Sequence, residues 1–150
     1  MRIAVAREID PQEPRVAATP ETVKKFKAFG ADVAVARGAG IGSGIPDAEY
    51  EAAGAEVGDD VVKNADLVLK VRRPAPNELA SYKKGALVLA IMDPYGNESA
   101  LKQMADAGVV AFAMELMPRI TRAQSMDVLS SQANLAGYRA VIDAAEEYGR

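Results

Sequence analysis

The chain has 150 residues, 49% of them hydrophobic and 26% charged, with 18 basic against 21 acidic side chains and a formal charge of −3. This is the composition of one globular domain, and a chain of this size buries roughly two thirds of its unfolded surface, enough for a core without staples. Lacking Cys and His altogether, it has no route to a Cys/His zinc site, a thiol nucleophile or a Ser-His-Asp relay; the acidic balance argues against nucleic acid, and the apolar stretches at 85–92 and 108–114 fall short of the roughly 20 residues a membrane-spanning helix needs.

Apolar runs of strand length alternate with segments of helical period, which predicts an α/β doubly wound, mostly parallel sheet. The run Ile3–Ala6 is the first strand, interrupted by Arg7 and Glu8 too soon for a signal peptide. Residues 7–19 contain Pro11 and Pro14 and predict a long exposed loop. Thr19 then N-caps a helix that opens on Pro20 and Glu21, with Val23, Phe26 and Phe29 as its buried stripe. Three joints end a helix on a left-handed glycine before a strand: Gly30, Gly54 and Gly108. Leu67–Val71 and Ala86–Ile91 read as central strands covered on both faces, and Val109–Ala113 as the last strand, ended by Pro118. From Gln124 to Tyr148 a single long helix is expected, with Met126, Leu129, Ala133, Ala136, Val141 and Ala145 as a stripe that packs on its own sheet or on a further domain.

Three groups of residues are candidates for function. The glycines of Gly38-Ala39-Gly40-Ile41-Gly42-Ser43-Gly44 follow a strand, but Ser43 stands where a dinucleotide fingerprint needs its third glycine, so the segment reads as a flexible glycine-rich turn. Arg15 in the long loop and Lys70 at the end of a central strand are two cations suited to a carboxylate or carbonyl oxygen; the alternative is a solvated Arg15 and a Lys70 paired with a carboxylate such as Glu115. The densest polar cluster follows the last strand: Arg119 and Arg122 supply fork donors, Gln124 and Ser130 donate and accept, and Asp127 accepts only. It contains no evident general acid or base, so chemistry there depends on orientation. Its alternative is an ordinary loop in which Ser125 or Gln124 caps the long helix.

The segment Pro118-Arg119-Ile120-Thr121-Arg122-Ala123-Gln124-Ser125-Met126-Asp127, continuing through Asn134-Leu135-Ala136-Gly137-Tyr138-Arg139-Ala140, resembles the mobile loop and connecting helix of the NAD-binding alpha subunit of proton-translocating NAD(P) transhydrogenases. Arg2–Glu8, Arg15–Pro20, Gly38–Gly40 and Leu69–Val71 extend the resemblance over the whole chain. It implies that residues 1–150 are the first of two α/β subdomains around a cleft, the second carrying the glycine fingerprint for NAD. It also implies hydride transfer between NAD(H) and an NADP(H) held by a partner component, coupled to proton translocation, with the fragment alone inactive.

By the same resemblance, Arg119 and Asp127 orient the nicotinamide and ribose, Ser130 assists at the carboxamide, and Gln124 reaches toward NADP(H). No metal is implied. A homodimer is expected, with NADP-binding and membrane components as partners, placed peripherally at the cytoplasmic face of the inner membrane. Alanine dehydrogenase is the related branch and the alternative activity; Arg15 and Lys70 match its keto-acid cations, but its acid/base histidine has only Asp93 as a counterpart here. A non-catalytic dimerisation or docking domain is the third alternative.

Overall fold

A strand covered on both faces tolerates only apolar side chains along its length, and the runs that satisfy this pair into one sheet. The computed structural model describes residues 1–149, which divide into two compact units, Met1–Ala113 and the segment from Met114 onward. The first unit runs β1 (Arg2–Val5), α1 (Pro20–Ala28), β2 (Asp32–Ala36), α2 (Asp47–Ala52), β3 (Glu56–Gly58), β4 (Leu67–Arg72), α3 (Pro76–Leu79), β5 (Leu87–Ile91), α4 (Glu98–Asp106) and β6 (Val110–Ala113). All strands are parallel, in the order β3-β2-β1-β4-β5-β6. Ile3 pairs with Val33 on one side and Leu67 on the other, so the chain reverses its direction of winding between β1 and β4. In an open sheet that reversal leaves a crevice at the carboxyl ends of the two strands.

Alternation along the strands sends side chains to two cores. Ala4, Ala34, Val68 and Val88 meet Leu79, Tyr82 and Met104 on the face covered by α3 and α4. Ile3, Val5, Val33, Val35 and Leu69 meet Val23 and Tyr50 on the face covered by α1 and α2. Thr19 caps α1 by accepting from the Thr22 N–H, with Pro20 at the first helical position, as expected. The three joint glycines have φ of 81°, 89° and 75° at Gly30, Gly54 and Gly108.

The expected stripe of α1 fails at its end. Val23 is buried and Phe26 half-buried, but Phe29 is 87% exposed. Three-residue steps drift about 60° each around a helix of 3.6 residues per turn, and Phe29 sits past the last turn as the cap. Coverage on both faces also weakens toward β6: Leu87, Leu89 and Ile91 are half-buried, and Val110 and Phe112 are exposed on a strand whose neighbour is β5. The last strand ends at Ala113, well before Pro118, because its ladder with β5 runs out at Ala90–Ala113.

The second unit contains short 3-10 turns at Met114–Leu116 and Gln124–Met126, then α5 (Val128–Glu147). The expected continuous helix from Gln124 is therefore two pieces. None of the residues of α5 is buried. Its expected stripe is exposed, with Val141 at 70%, and apolar residues occupy more than one side of the helix.

The glycine-rich segment is a packed turn and not the flexible one expected, because Pro14, Ile45 and Tyr50 close against Gly40 and Gly42. The Gly38 N–H donates to Asp47 Oδ1 at 2.8 Å, and the Ser43 hydroxyl donates to the Pro14 carbonyl at 2.8 Å. A Cβ at Gly40 would lie 2.6 Å from the Ile45 carbonyl oxygen, and one at Gly42 2.7 Å from that of Pro14. Gly40→Ala and Gly42→Ala are each expected to destabilise by about 1–3 kcal/mol through overpacking. Each change is measured as a lower denaturant midpoint at unchanged slope, and a neutral Gly40→Ala would contradict this packing.

Candidate functional site

In an open α/β sheet the switch-point crevice is where topology places ligands. It holds a cavity of about 390 Å³ reached by Glu8, Lys70, Arg72, Arg73 and Asp93. Lys70 lies on β4 with only 4% of its surface exposed. A buried ammonium must have its charge and all three N–H donors answered. Glu78 accepts from Nζ at 2.7 Å, Glu8 lies at 3.5 Å, and the Arg7 carbonyl accepts at 3.3 Å. Both carboxylates are themselves held by backbone: the Val71 N–H donates to Glu8 at 2.7 Å and the Ala75 N–H to Glu78 at 2.8 Å. The expectation of a pairing carboxylate therefore holds in kind, with Glu78 and Glu8 in place of the suggested Glu115, which belongs to the following unit.

Arg15 is no solvated loop charge. Its guanidinium donates to both Glu13 oxygens, at 2.6 and 2.7 Å, and Arg72 adds a third bond at 2.8 Å. The Arg15 hydrogen bond, against an opposing effect of burial, and the Arg72 bond hold the Glu13 carboxyl at about 2. Three cations, Lys70, Arg15 and Arg72, thus face three carboxylates, Glu8, Glu13 and Glu78, and an incoming anion meets a balanced site. Asp93 has a φ of 47°, and the Asn97 amide donates to its carbonyl at 2.9 Å and to its carboxylate at 3.1 Å. Arg73 donates to the carbonyls of Met92 and Asp93, so this strand end is pinned.

The second site lies wholly within the second unit. Arg119, Gln124, Asp127 and Ser130, the four residues singled out from the sequence, line one cavity of about 300 Å³ together with Ile120 and Thr121. Arg122 is not among its lining residues. Asp127 is the N-cap of α5, and not the Ser125 or Gln124 of the alternative, ordinary-loop reading. Its Oδ1 accepts from the Leu129 and Ser130 N–H groups at 3.0 and 3.1 Å, and its Oδ2 accepts from the Ser130 hydroxyl at 2.6 Å. The Ser130 hydroxyl and N–H, then the Leu129 N–H and the Arg119 charge, hold the Asp127 carboxyl below the usual carboxylate range. It stays ionised near neutrality and is a poor proton carrier. Arg119 offers donors only, Asp127 acceptors only, and Gln124 and Thr121 either.

Sequence reasoning missed Glu8, Glu13 and Glu78. The signal was present in part: Glu8 and Glu13 are two of the three acids in the loop after β1, and Glu78 stands three positions after Ala75 at the start of α3. Nothing in spacing alone says that the loop folds back over Lys70.

Fold and sites together define a doubly wound, Rossmann-like α/β domain, with a cluster of donors and acceptors in the segment that follows its last strand. Residues 4–136 match the family described as "Alanine dehydrogenase/PNT, N-terminal domain", and the chain belongs to that family. It is 46% identical over its full length to an NAD(P) transhydrogenase alpha-subunit polypeptide of Rhodospirillum rubrum, of which it spans 41%. A crystal structure of transhydrogenase from Sinorhizobium meliloti superposes with a TM-score of 0.97 at 64% identity, covering all of this chain and 46% of that one. An L-alanine dehydrogenase structure is more distant, with a TM-score of 0.72 at 32% identity over 77% of this chain and 32% of the other. The chain thus spans less than half the length of these relatives.

Glu13 has the clearest consequence for stability. Its folded carboxyl lies at about 2 against an ordinary 4.5, so its contribution is full above the unfolded value and is lost as pH falls from there through the folded value. Glu13→Gln is expected to cost about 1.5–3 kcal/mol at pH 7 and to flatten the acid limb of the stability curve below pH 4.5, measured by denaturant unfolding at several pH values. An unchanged acid limb would show that Glu13 does not hold this loop.

Proposed function

We propose that this chain is the first subdomain of the NAD(H)-binding component of a proton-translocating NAD(P) transhydrogenase, and that its flap orients a nicotinamide ring for hydride transfer to or from NADP. The observation that carries this reading is the single cavity shared by Arg119, Gln124, Asp127 and Ser130, a set that can orient a planar polar ring yet offers no group poised to move a proton. The residues present fit a nicotinamide with its carboxamide and ribose. They do not fit the dinucleotide phosphates, because the glycine-rich turn after β2 is filled by Tyr50, Ile45 and Pro14. The phosphate fingerprint then belongs to the portion of the relatives that this chain does not span.

In this reading Arg119 and Asp127 hold the ring and ribose, Ser130 holds the carboxamide, and Gln124 faces the NADP(H) of a partner component. The bound nicotinamides supply the hydride chemistry, and the flap supplies alignment at near-contact distance with water kept out. The natural assembly in this proposal is a homodimer that associates peripherally, at the cytoplasmic face of the inner membrane, with an NADP-binding and a membrane component. Among the described residues no helix is long and apolar enough to cross a membrane.

The balanced charges at Lys70 and Arg15 favour this reading over reductive amination. A keto acid needs a free cation, and here Glu8, Glu13 and Glu78 answer each one. In the complete transhydrogenase, Arg119→Ala is expected to lower hydride transfer about 10–100-fold, as loss of an orienting clamp does, with the unfolding midpoint unchanged. Stopped-flow transfer between NADH and an NADP analogue measures it. Unaltered transfer, or turnover of pyruvate and ammonia with NADH, would sink the proposal.

A further inference from the structure

A further cavity, of about 180 Å³, lies wholly within the first unit, where the ends of β1 and β2 meet the segment after β3 and the end of α3. Ala6, Ala36, Val61 and Val62 give it apolar walls. Tyr82 lines it too and is a core residue with 7% of its surface exposed, yet its hydroxyl has no hydrogen-bond partner. Protein interiors rarely leave such a group unanswered, because each one costs its full desolvation. Burial, and after it the charges of Glu78 and Glu8, push the Tyr82 phenol far above its usual range. Near neutrality it therefore keeps its hydrogen and is a donor.

Three charged side chains reach the same cavity, those of Arg7, Asp59 and Glu78. Asp59 is turned to Arg37 at 3.3 Å, and Glu78 is taken up by Lys70 and the Ala75 N–H. The Arg7 carbonyl accepts from Lys70, but among the described residues no acceptor engages the Arg7 guanidinium. That group extends toward the turn after β2, where a Cβ on Gly38 would lie 3.9 Å from its Nη1. A cation at the rim and a buried phenolic donor are thus left without partners beside apolar walls.

We infer that this cavity is a binding site for a small organic monoanion, a carboxylate on a short apolar tail, whose oxygens take the Arg7 guanidinium and the Tyr82 hydroxyl while the tail lies on Ala6, Ala36, Val61 and Val62. Size sets the upper limit, since an apolar cavity of about 150 Å³ admits benzene and little more. Charge sets the valence: the carboxylates of Asp59 and Glu78 in the wall oppose a second negative charge, so a phosphate dianion is disfavoured where a monoanion is not. Arg15, Lys70 and Asp93 do not line this cavity, so it holds its ligand away from the counterparts of the keto-acid residues.

The experiment titrates propionate into the full-length protein that contains this chain and follows saturation transfer to the propionate methyl group by NMR. The wild type is expected to bind with a Kd of about 1–10 mM, as tight as so few heavy atoms allow. Arg7→Gln should weaken binding about tenfold or more, and Tyr82→Phe about three- to tenfold. Without propionate the unfolding midpoint of Tyr82→Phe should equal or exceed that of the wild type, because the substitution removes an unanswered buried hydroxyl. Arg72→Gln, which alters the neighbouring crevice, should leave the Kd unchanged, and phosphate at matched ionic strength should not displace propionate. Absence of saturable transfer, or a Kd indifferent to both Arg7→Gln and Tyr82→Phe, overturns the inference. So does binding lost in Arg72→Gln, displacement by phosphate, or a lowered midpoint of Tyr82→Phe in the absence of propionate.

Discussion

The buried ammonium of Lys70 constrains the whole first unit. Moving such a charge out of water costs several kcal/mol unless it is paired and fully hydrogen-bonded, and here the answer draws on separate segments: Glu8 and the Arg7 carbonyl from the loop after β1, and Glu78 from α3. The loop after β1 is thereby held over the crevice between β1 and β4, where it also delivers Glu13 to Arg15 and Arg72. A residue that would be a liability in a central strand instead ties three elements together at the place where the sheet changes its winding.

Why these elements were readable follows from what generates them. Strands β1, β2 and β4, the Thr19-Pro20 helix start and the left-handed glycines at 30, 54 and 108 arise from local sterics and from apolar runs, and both are visible in a single sequence. What was not readable depends on distant partners. Phe29 belongs to the spacing of a stripe but lies beyond the last turn of its helix. The last strand was read correctly to Ala113, but what ends it there is the ladder with β5 and not Pro118. The cap of α5 was decided by which nearby oxygen reaches two free N–H groups, and Asp127 outcompetes Ser125 and Gln124 because a carboxylate bonds a helix N-terminus more strongly than a neutral oxygen.

The candidate sites divide in the same way. The flap cluster was legible because its residues lie within twelve positions of one another, and local turns bring them to one cavity. The crevice was only half legible. Lys70 and Arg15 announced themselves as cations at a strand end and in a long loop, and their nearest counter-ions, Glu78 and Glu13, lie close by in sequence, but spacing does not say that those side chains turn inward, and Glu8 reaches Lys70 only because the loop after β1 folds back. Charge alone suggested a binding site there, and the arithmetic of partners removes it.

That arithmetic bears on how one fold serves two chemistries. Reductive amination needs cations left free for a carboxylate and a group that moves a proton at the strand end. This chain keeps the cations but neutralises each with its own carboxylates, and places at the end of β5 an aspartate whose left-handed backbone and Asn97 contacts hold it in a turn. Hydride transfer between two nicotinamides asks for neither, since its demand is geometric. On the proposed function, a loop that presents Arg119 as donor and Asp127 as acceptor on one cavity meets that demand without a group that moves a proton.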